Sequence, residues 1–184
     1  MAGFNPTKDE SNADYTGKLR TFSVAAAHAT ALAPGDVIVL TGTSDANGVA
    51  GADAAAAGSA FTGTIAAVDP IYTQEQLGLT GLPAGTGGTI KCHVAQDLVY
   101  EADCSATLNA ADVGLNVDIV ATAASLTGGL YRSNMTIDSS TKAATATLQF
   151  RIVQLLTDEN GDNLGSRALV RPNETTRQAG ALGI

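Results

Sequence analysis

The stretch that decides the fold is Leu98–Val120, LVYEADCSATLNAADVGLNVDIV. It opens with Leu98, Tyr100 and Ala102 alternating against Val99, Glu101 and Asp103, the period of a half-buried strand. The alternation breaks at Asn109. Asn109-Ala-Ala-Asp112 reads as a single capped helical turn, because an asparagine side chain accepts an early backbone N–H. Gly114 ends the turn. Leu115, Val117 and Ile119 then resume the alternation. A strand, a short turn of helix and a second strand make a corner, so the segment is framework unless its neighbours say otherwise.

The same pattern extends in both directions. Upstream, Leu19–Ala27 alternates through Phe22 and Val24. Pro34-Gly35-Asp36 signals a turn, and Val37–Thr41 is a continuous apolar run of the buried-strand kind. Residues 42–59 are small and flexible, with a turn at Asn47-Gly48. They read as a loop plus a short strand, because Gly51 and Gly58 bracket the alanine run too tightly for a helix. Phe61–Val68 alternates again. Residues 69–88 are loop-like, with one helical turn over Gln74–Leu77, and Thr89–Val94 is the next strand. Downstream, residues 121–131 are a small-residue loop and Ser133–Asp138 is a strand. Ser139-Ser140-Thr141 is a polar turn. Ala143–Leu156 is the longest alternating segment. Asp158–Asn163 turns the chain into Leu164–Arg171.

About nine strands separated by turn signals define an all-β fold, an antiparallel sandwich or barrel. Residues 1–18 form an extended N-terminal arm, either disordered or laid along a neighbour with Phe4 and Tyr15 as anchors. A soft boundary near residues 94–97 divides the rest into an N-terminal β subdomain over 19–95 and a C-terminal one over 96–172. A single continuous sandwich is the other arrangement the pattern allows. Residues 173–184 are a Gly/Ala-rich tail.

Composition narrows the function. Of 184 residues, 45% are hydrophobic but only 4% aromatic, with no Trp. Small side chains bury little area apiece, so part of the stability is expected from assembly. The net charge is −8, with ten scattered Lys and Arg. Neither a phosphate backbone nor an anionic membrane suits such a surface. No apolar run reaches the roughly 20 residues of a membrane span. MAGFNPTKDESNADY has neither the cationic nor the apolar part of a secretory signal, so cytosolic synthesis and reduced Cys92 and Cys104 are expected. A Cys92–Cys104 bridge stays open, since spacing does not decide geometry.

Reactive groups are sparse. His28 and His93 stand apart. Cys92 and His93 are adjacent, so a strand points them to opposite faces. Asp158, Asn160 and Asp162 match the first three oxygen ligands of a calcium loop, but Gly161 sits at the fourth place and Leu169 at the twelfth. A polar hairpin explains them without a metal. Glu101, Asp103, Asp112 and Asp118 gather near the corner, where a solvated face accounts for them better than acid–base chemistry. Gly85-Thr86-Gly87-Gly88 follows no strand and opens no helix, so it is not a phosphate cradle. No catalytic, cofactor-binding or metal residue is assigned, and no enzyme is expected.

The C-terminal half has a recognisable order. Gln96–Ala102 is followed by Ala106-Thr-Leu-Asn-Ala-Ala-Asp112-Val-Gly114-Leu-Asn116-Val117. A glycine/serine loop leads to Ser133–Asp138. Then come Ala144–Val153 and Leu169-Val170-Arg171-Pro172-Asn173-Glu174. Over residues 83–174 this resembles the capsid decoration, or cement, proteins of tailed bacteriophages. The resemblance implies a non-enzymatic β-rich virion protein, a homotrimer on the capsid exterior. It would be made in the host bacterial cytoplasm and bridge major capsid protein subunits, with no direct contact to nucleic acid or membrane. The alternative is a phage tail or fibre module that binds host glycans, which needs an aromatic platform from only four Tyr and four Phe.

Overall fold

In a computed structural model, residues 3–9, 17, 19–70, 79–94 and 97–175 are described. The fold is all-β, with thirteen strands and one 3-10 turn among those residues. The strands are β1 (Asn5–Asp9), β2 (Leu19–Val24), β3 (Val37–Ser44), β4 (Ala50–Ala54), β5 (Gly63–Val68) and β6 (Gly88–His93). They continue with β7 (Leu98–Asp103), β8 (Asn116–Val120), β9 (Ser125–Thr127), β10 (Leu130–Arg132), β11 (Thr136–Ala143), β12 (Phe150–Leu156) and β13 (Arg167–Pro172).

Eleven of these strands make two units, and β9 and β10 pair with each other. One is a closed barrel in the order β2-β4-β3-β5-β6. Its alternating residues Phe22, Val24, Ile38, Ile65, Ile90 and Cys92 fill the interior together with Leu32 and Leu82. All its strand pairs are antiparallel except β2–β4, which meet in parallel at Ser23 and Gly51. The other is a six-stranded antiparallel sheet in the order β1-β7-β13-β12-β8-β11. It curls, because Cys104 bridges to Ile137 and brings the end of β7 to β11.

The units are not independent. The larger apolar cluster takes Tyr100, Val117, Ile119, Phe150, Ile152 and Val170 from the sheet and Val37, Ala55 and Phe61 from the barrel half. Aromatic residues are few but concentrated there. Phe4 stacks on Phe150 at 4.9 Å, and Phe61 meets Phe150 edge-on at 5.2 Å and Tyr100 at 5.6 Å. Burying each such ring stabilises by roughly 1.5–3 kcal/mol, and each favourable pair adds about 0.5–1.5 kcal/mol. Four of the chain's eight aromatic residues, Phe4, Phe61, Tyr100 and Phe150, thus lie where the two units meet.

Several expectations are corrected by this packing. The described part of the N-terminal segment is not a free arm. Residues 5–9 extend the sheet beside β7, and the Phe4 N–H donates to the Gly35 carbonyl at 2.8 Å. Phe4 does act as an anchor, but into its own chain's core, where it is 1% exposed. Tyr15, the Gln74–Leu77 turn and residues 176–184 lie outside the described residues. The start of the supposed tail is also tied down: Asn173 N–H donates to the Gln149 carbonyl at 2.7 Å, and Phe61 N–H to Glu174 at 2.9 Å.

The long strand expected over Ala143–Leu156 forms only from Phe150 onward. Residues 144–149 are a loop whose carbonyls are claimed by side-chain amides. Asn116 Nδ2 donates to Thr145, and Asn173 Nδ2 donates to Ala146 and Leu148, at 2.9–3.0 Å. The expected turn at Ser139–Thr141 is instead a bulge inside β11. It forms because the Asp138 carboxylate accepts both the N–H and the hydroxyl of Ser140. The expected loop over 121–131 holds a hairpin, β9–β10, turned by Gly128-Gly129 with φ of 60° and 82°. Only residues that tolerate positive φ make such a turn cheaply.

Candidate functional site

The corner at 98–120 is the place to test for chemistry, since it gathers the four carboxylates. Asn109 to Gly114 forms the expected turn, a 3-10 helix over Ala110–Asp112. Its cap runs through Asp112: Oδ2 accepts the Asn109 N–H at 2.8 Å and the Lys142 ammonium at 2.8 Å. Those hydrogen bonds, Lys142 first, hold the Asp112 carboxyl below the usual carboxylate range. Gly114 leaves the turn at φ 93°, and its carbonyl accepts the Arg151 Nε–H at 3.1 Å.

The carboxylates do not form a solvated face. Glu101 pairs with Arg167 across β7 and β13. Asp118 is 9% exposed and its Oδ1 accepts the Gln149 N–H at 3.1 Å. The loop 144–149 covers that side of β8, which leaves Asn116 fully buried as well. Glu101, Asp112 and Asp118 therefore each take a separate partner.

The polar centre of the molecule is a residue the alternation hides. Gln149 is fully buried. Its Oε1 accepts the Ile119 N–H at 3.2 Å, taking the ladder place of a backbone carbonyl. Its Nε2 donates to the carbonyls of Ala56 at 3.1 Å and Ser59 at 2.7 Å. One amide thus joins the sheet to the loop that follows β4. Its own carbonyl accepts Asn173. The sequence signal was a glutamine one place before an inward phenylalanine, which reads as an outward position on a strand.

A second missed residue is Asp36. The turn at Pro34-Gly35-Asp36 is present, but the Asp36 side chain is fully buried. Its Oδ2 accepts the Ala33 N–H at 2.7 Å, while Oδ1 has no partner. Burial pushes its carboxyl up to about 6, against the pull of the Ser133 hydroxyl and the Ala33 N–H.

The remaining candidates are separated. His28 is buried, with Nδ1 3.0 Å from the Ala25 carbonyl. Burial lowers the proton affinity of His93. Cys92 lies inside the barrel and Cys104 against the other cluster, both as free thiols. Burial raises both; Cys104 reaches about 12, with Asp103 adding to the effect. In the 158–163 turn, Asp158 Oδ1 accepts the N–H groups of Asn160 and Asp162 and Oδ2 accepts Asn163 Nδ2 at 2.7 Å. The carboxylate serves the hairpin itself. Gly85-Thr86-Gly87-Gly88 is a turn into β6, with the Gly85 N–H on the His28 carbonyl. Among the described residues, no group of three or more His, Cys, Asp or Glu is placed to hold a metal ion.

Among the concave surfaces of the described residues, one lies on the outer side of the six-stranded sheet. A groove of about 460 Å³ runs between Val99, Val113 and Val153, with Arg151 and Arg171 beside it. Together these features define an all-β protein in which the buried polar side chains of Asp112, Asn116, Asp118 and Gln149 bond to the backbone around them. Comparison of the chain with family models, curated proteins and solved structures finds no match.

Proposed function

We propose that the chain is a virion structural protein that decorates and stabilises the outside of an icosahedral phage head by bridging major capsid protein subunits. The observation that carries this reading is where the residues of the resemblance fall. Asp112 caps the corner turn, Gly114 leaves it with positive φ, Asn116 holds the 144–149 loop and Asn173 fastens the C-terminal segment to it. The ordered series is thus a set of framework positions, as expected when a shared sequence pattern specifies a scaffold. A rigid β scaffold with a net charge of −8 also suits a protein that stays soluble before it meets a shell.

The glycan-binding alternative draws no comparable support. All four Phe are buried, as is Tyr100, so they offer no stacking platform. The test is sedimentation of the purified protein with expanded heads and with unrelated particles. Co-pelleting with the heads alone, and a trimer by analytical ultracentrifugation, are the expected results. A stable monomer that never co-pellets overturns the reading.

A further inference from the structure

Two surface loops of this chain are built to one plan. Asp45-Ala-Asn47-Gly48-Val49 turns β3 into β4, and Asp158-Glu-Asn160-Gly161-Asp162 turns β12 towards β13. In the first, Asp45 Oδ1 accepts the N–H groups of Asn47 at 2.9 Å and Val49 at 2.8 Å, and the Asp45 carbonyl accepts the Gly48 N–H at 3.1 Å. In the second, Asp158 accepts the same three groups, Asn160 at 3.0 Å, Asp162 at 2.9 Å and Gly161 at 3.1 Å. Both glycines have positive φ, 78° and 84°. Both asparagines are exposed. They belong to the chain's two Asn-Gly pairs.

An Asn-Gly pair is chemically labile, because glycine has no side chain to keep its nitrogen away from the asparagine amide carbon. The glycine nitrogen bonds to the asparagine Cγ, the Cγ–NH2 bond breaks, and ammonia leaves with the proton that the glycine nitrogen gives up. Water then opens the succinimide at either carbonyl, leaving aspartate or isoaspartate. The glycine N–H has to leave the aspartate carbonyl first, so each loop reacts through its open form. Here the two loops differ. Asn163 Nδ2 also donates to Asp158 Oδ2 at 2.7 Å, and Arg167 reaches the Asp158 carbonyl at 3.4 Å. Asp162 sets a carboxylate beside Gly161, against the negative charge that builds on the attacked amide. The positions matching Asp162 and Asn163 in the first loop are Val49 and Ala50, which bring neither charge nor side-chain donor. One added hydrogen bond to a charged group shifts the balance of closed and open loop by on the order of tenfold. We propose that Asn47 is a site of spontaneous covalent modification in the folded protein, converting through a succinimide to aspartate or isoaspartate while Asn160, in a loop of the same design, is preserved. The change has a structural target. The Ser23 hydroxyl reaches the carbonyls of Val49 at 3.1 Å and Ala50 at 3.4 Å, beside the Ser23–Gly51 pair that closes the barrel in parallel. Isoaspartate adds a backbone methylene two residues before Val49, so it slackens that closure.

The test is incubation of the full chain at pH 8 with peptide mapping by mass spectrometry over time, electron-transfer fragmentation separating aspartate from isoaspartate. Asn47 is expected to convert about tenfold faster than Asn160. Asp45→Ala should speed conversion at Asn47 and leave Asn160 unchanged, and Asn163→Ala should do the reverse. A variant that speeds both pairs has lost its fold, and the other variant and the wild-type rates then decide. Aged protein carrying isoaspartate at position 47 should exchange its β4 amides faster than fresh protein. Three results overturn the proposal: Asn160 converting as fast as Asn47 in the folded wild type, neither pair converting over a period in which the urea-unfolded chain converts at both, or an Asn47 rate unmoved by Asp45→Ala.

Discussion

Replacing Gln149 with Leu is the sharpest perturbation of this fold. The substitution keeps the size of the side chain and removes three hydrogen bonds, to the Ile119 N–H and to the Ala56 and Ser59 carbonyls. The Ile119 N–H and the Ser59 carbonyl lose their side-chain partner, whereas the Ala56 carbonyl keeps the Ser59 N–H at 3.1 Å. A buried backbone group left unpaired costs about 1–3 kcal/mol, and relaxation recovers part of that. With two such groups, the expected loss is therefore about 2–4 kcal/mol, a large share of the roughly 5–15 kcal/mol that holds a domain folded. Urea unfolding followed by far-UV circular dichroism measures it, with the exposed Gln154→Leu as control, expected within about 0.5 kcal/mol. Hydrogen exchange at the Ile119 amide should accelerate in parallel. A loss below 1 kcal/mol with an unchanged urea slope would refute the assignment of Gln149 as the link between sheet and barrel loop.

Other expectations follow from single groups. Asp36 has a carboxyl raised from 3.8 to about 6 in the folded protein, so its contribution to stability is complete below about pH 4 and is lost as pH rises toward 6. Two pKa units correspond to about 3 kcal/mol. Asp36→Asn should flatten that slope in urea titrations run from pH 4 to 7, and an unaltered slope would remove the assignment. Asp112→Ala loses the cap on Asn109 and the partner of Lys142. It should cost on the order of 1–2 kcal/mol at pH 7, with a smaller difference in acid, where the wild-type carboxylate is itself protonated. Gly165→Ala should be severe, because an added Cβ would meet the Leu108 carbonyl and the backbone there has φ 89°. A melting temperature within a degree of wild type contradicts that packing. Cys92 should resist a disulfide reagent at pH 8 in the native protein and react once urea is added; fast native labelling of Cys92, located by peptide mapping, would show that it is not enclosed.

The strand-forming segments were legible because alternation is a local property of the chain. Leu98–Asp103 and Thr89–His93 carry an alternating burial along the strand, and Asn116–Val120 keeps the same period in its apolar residues although both of its faces are covered. The corner was legible for a similar reason: the Asp112 carboxylate caps the Asn109 N–H three residues away and Gly114 supplies the positive φ that ends the turn, whatever Lys142 and Arg151 add from a distance.

What the sequence could not disclose depends on distant residues. Thr145, Thr147 and Gln149 alternate with Ala146, Leu148 and Phe150 as in a strand, yet the segment is a loop because Asn116 and Asn173 take its carbonyls from positions about 30 residues away in either direction. Local propensity loses to a buried amide that has nowhere else to bond. The polar N-terminal segment became a strand for a similar reason: Phe4 stacks on Phe150, and β7 offered an unpaired edge. By itself, then, the sequence determined the class of the fold, the position of the corner and the turn chemistry, all set by contacts within a few residues. Only the tertiary structure decided which strands pair, that one amide joins sheet and barrel loop, and that Asp36 is enclosed. Those features arise from groups brought together across the chain, and their energies exist only once the chain has folded.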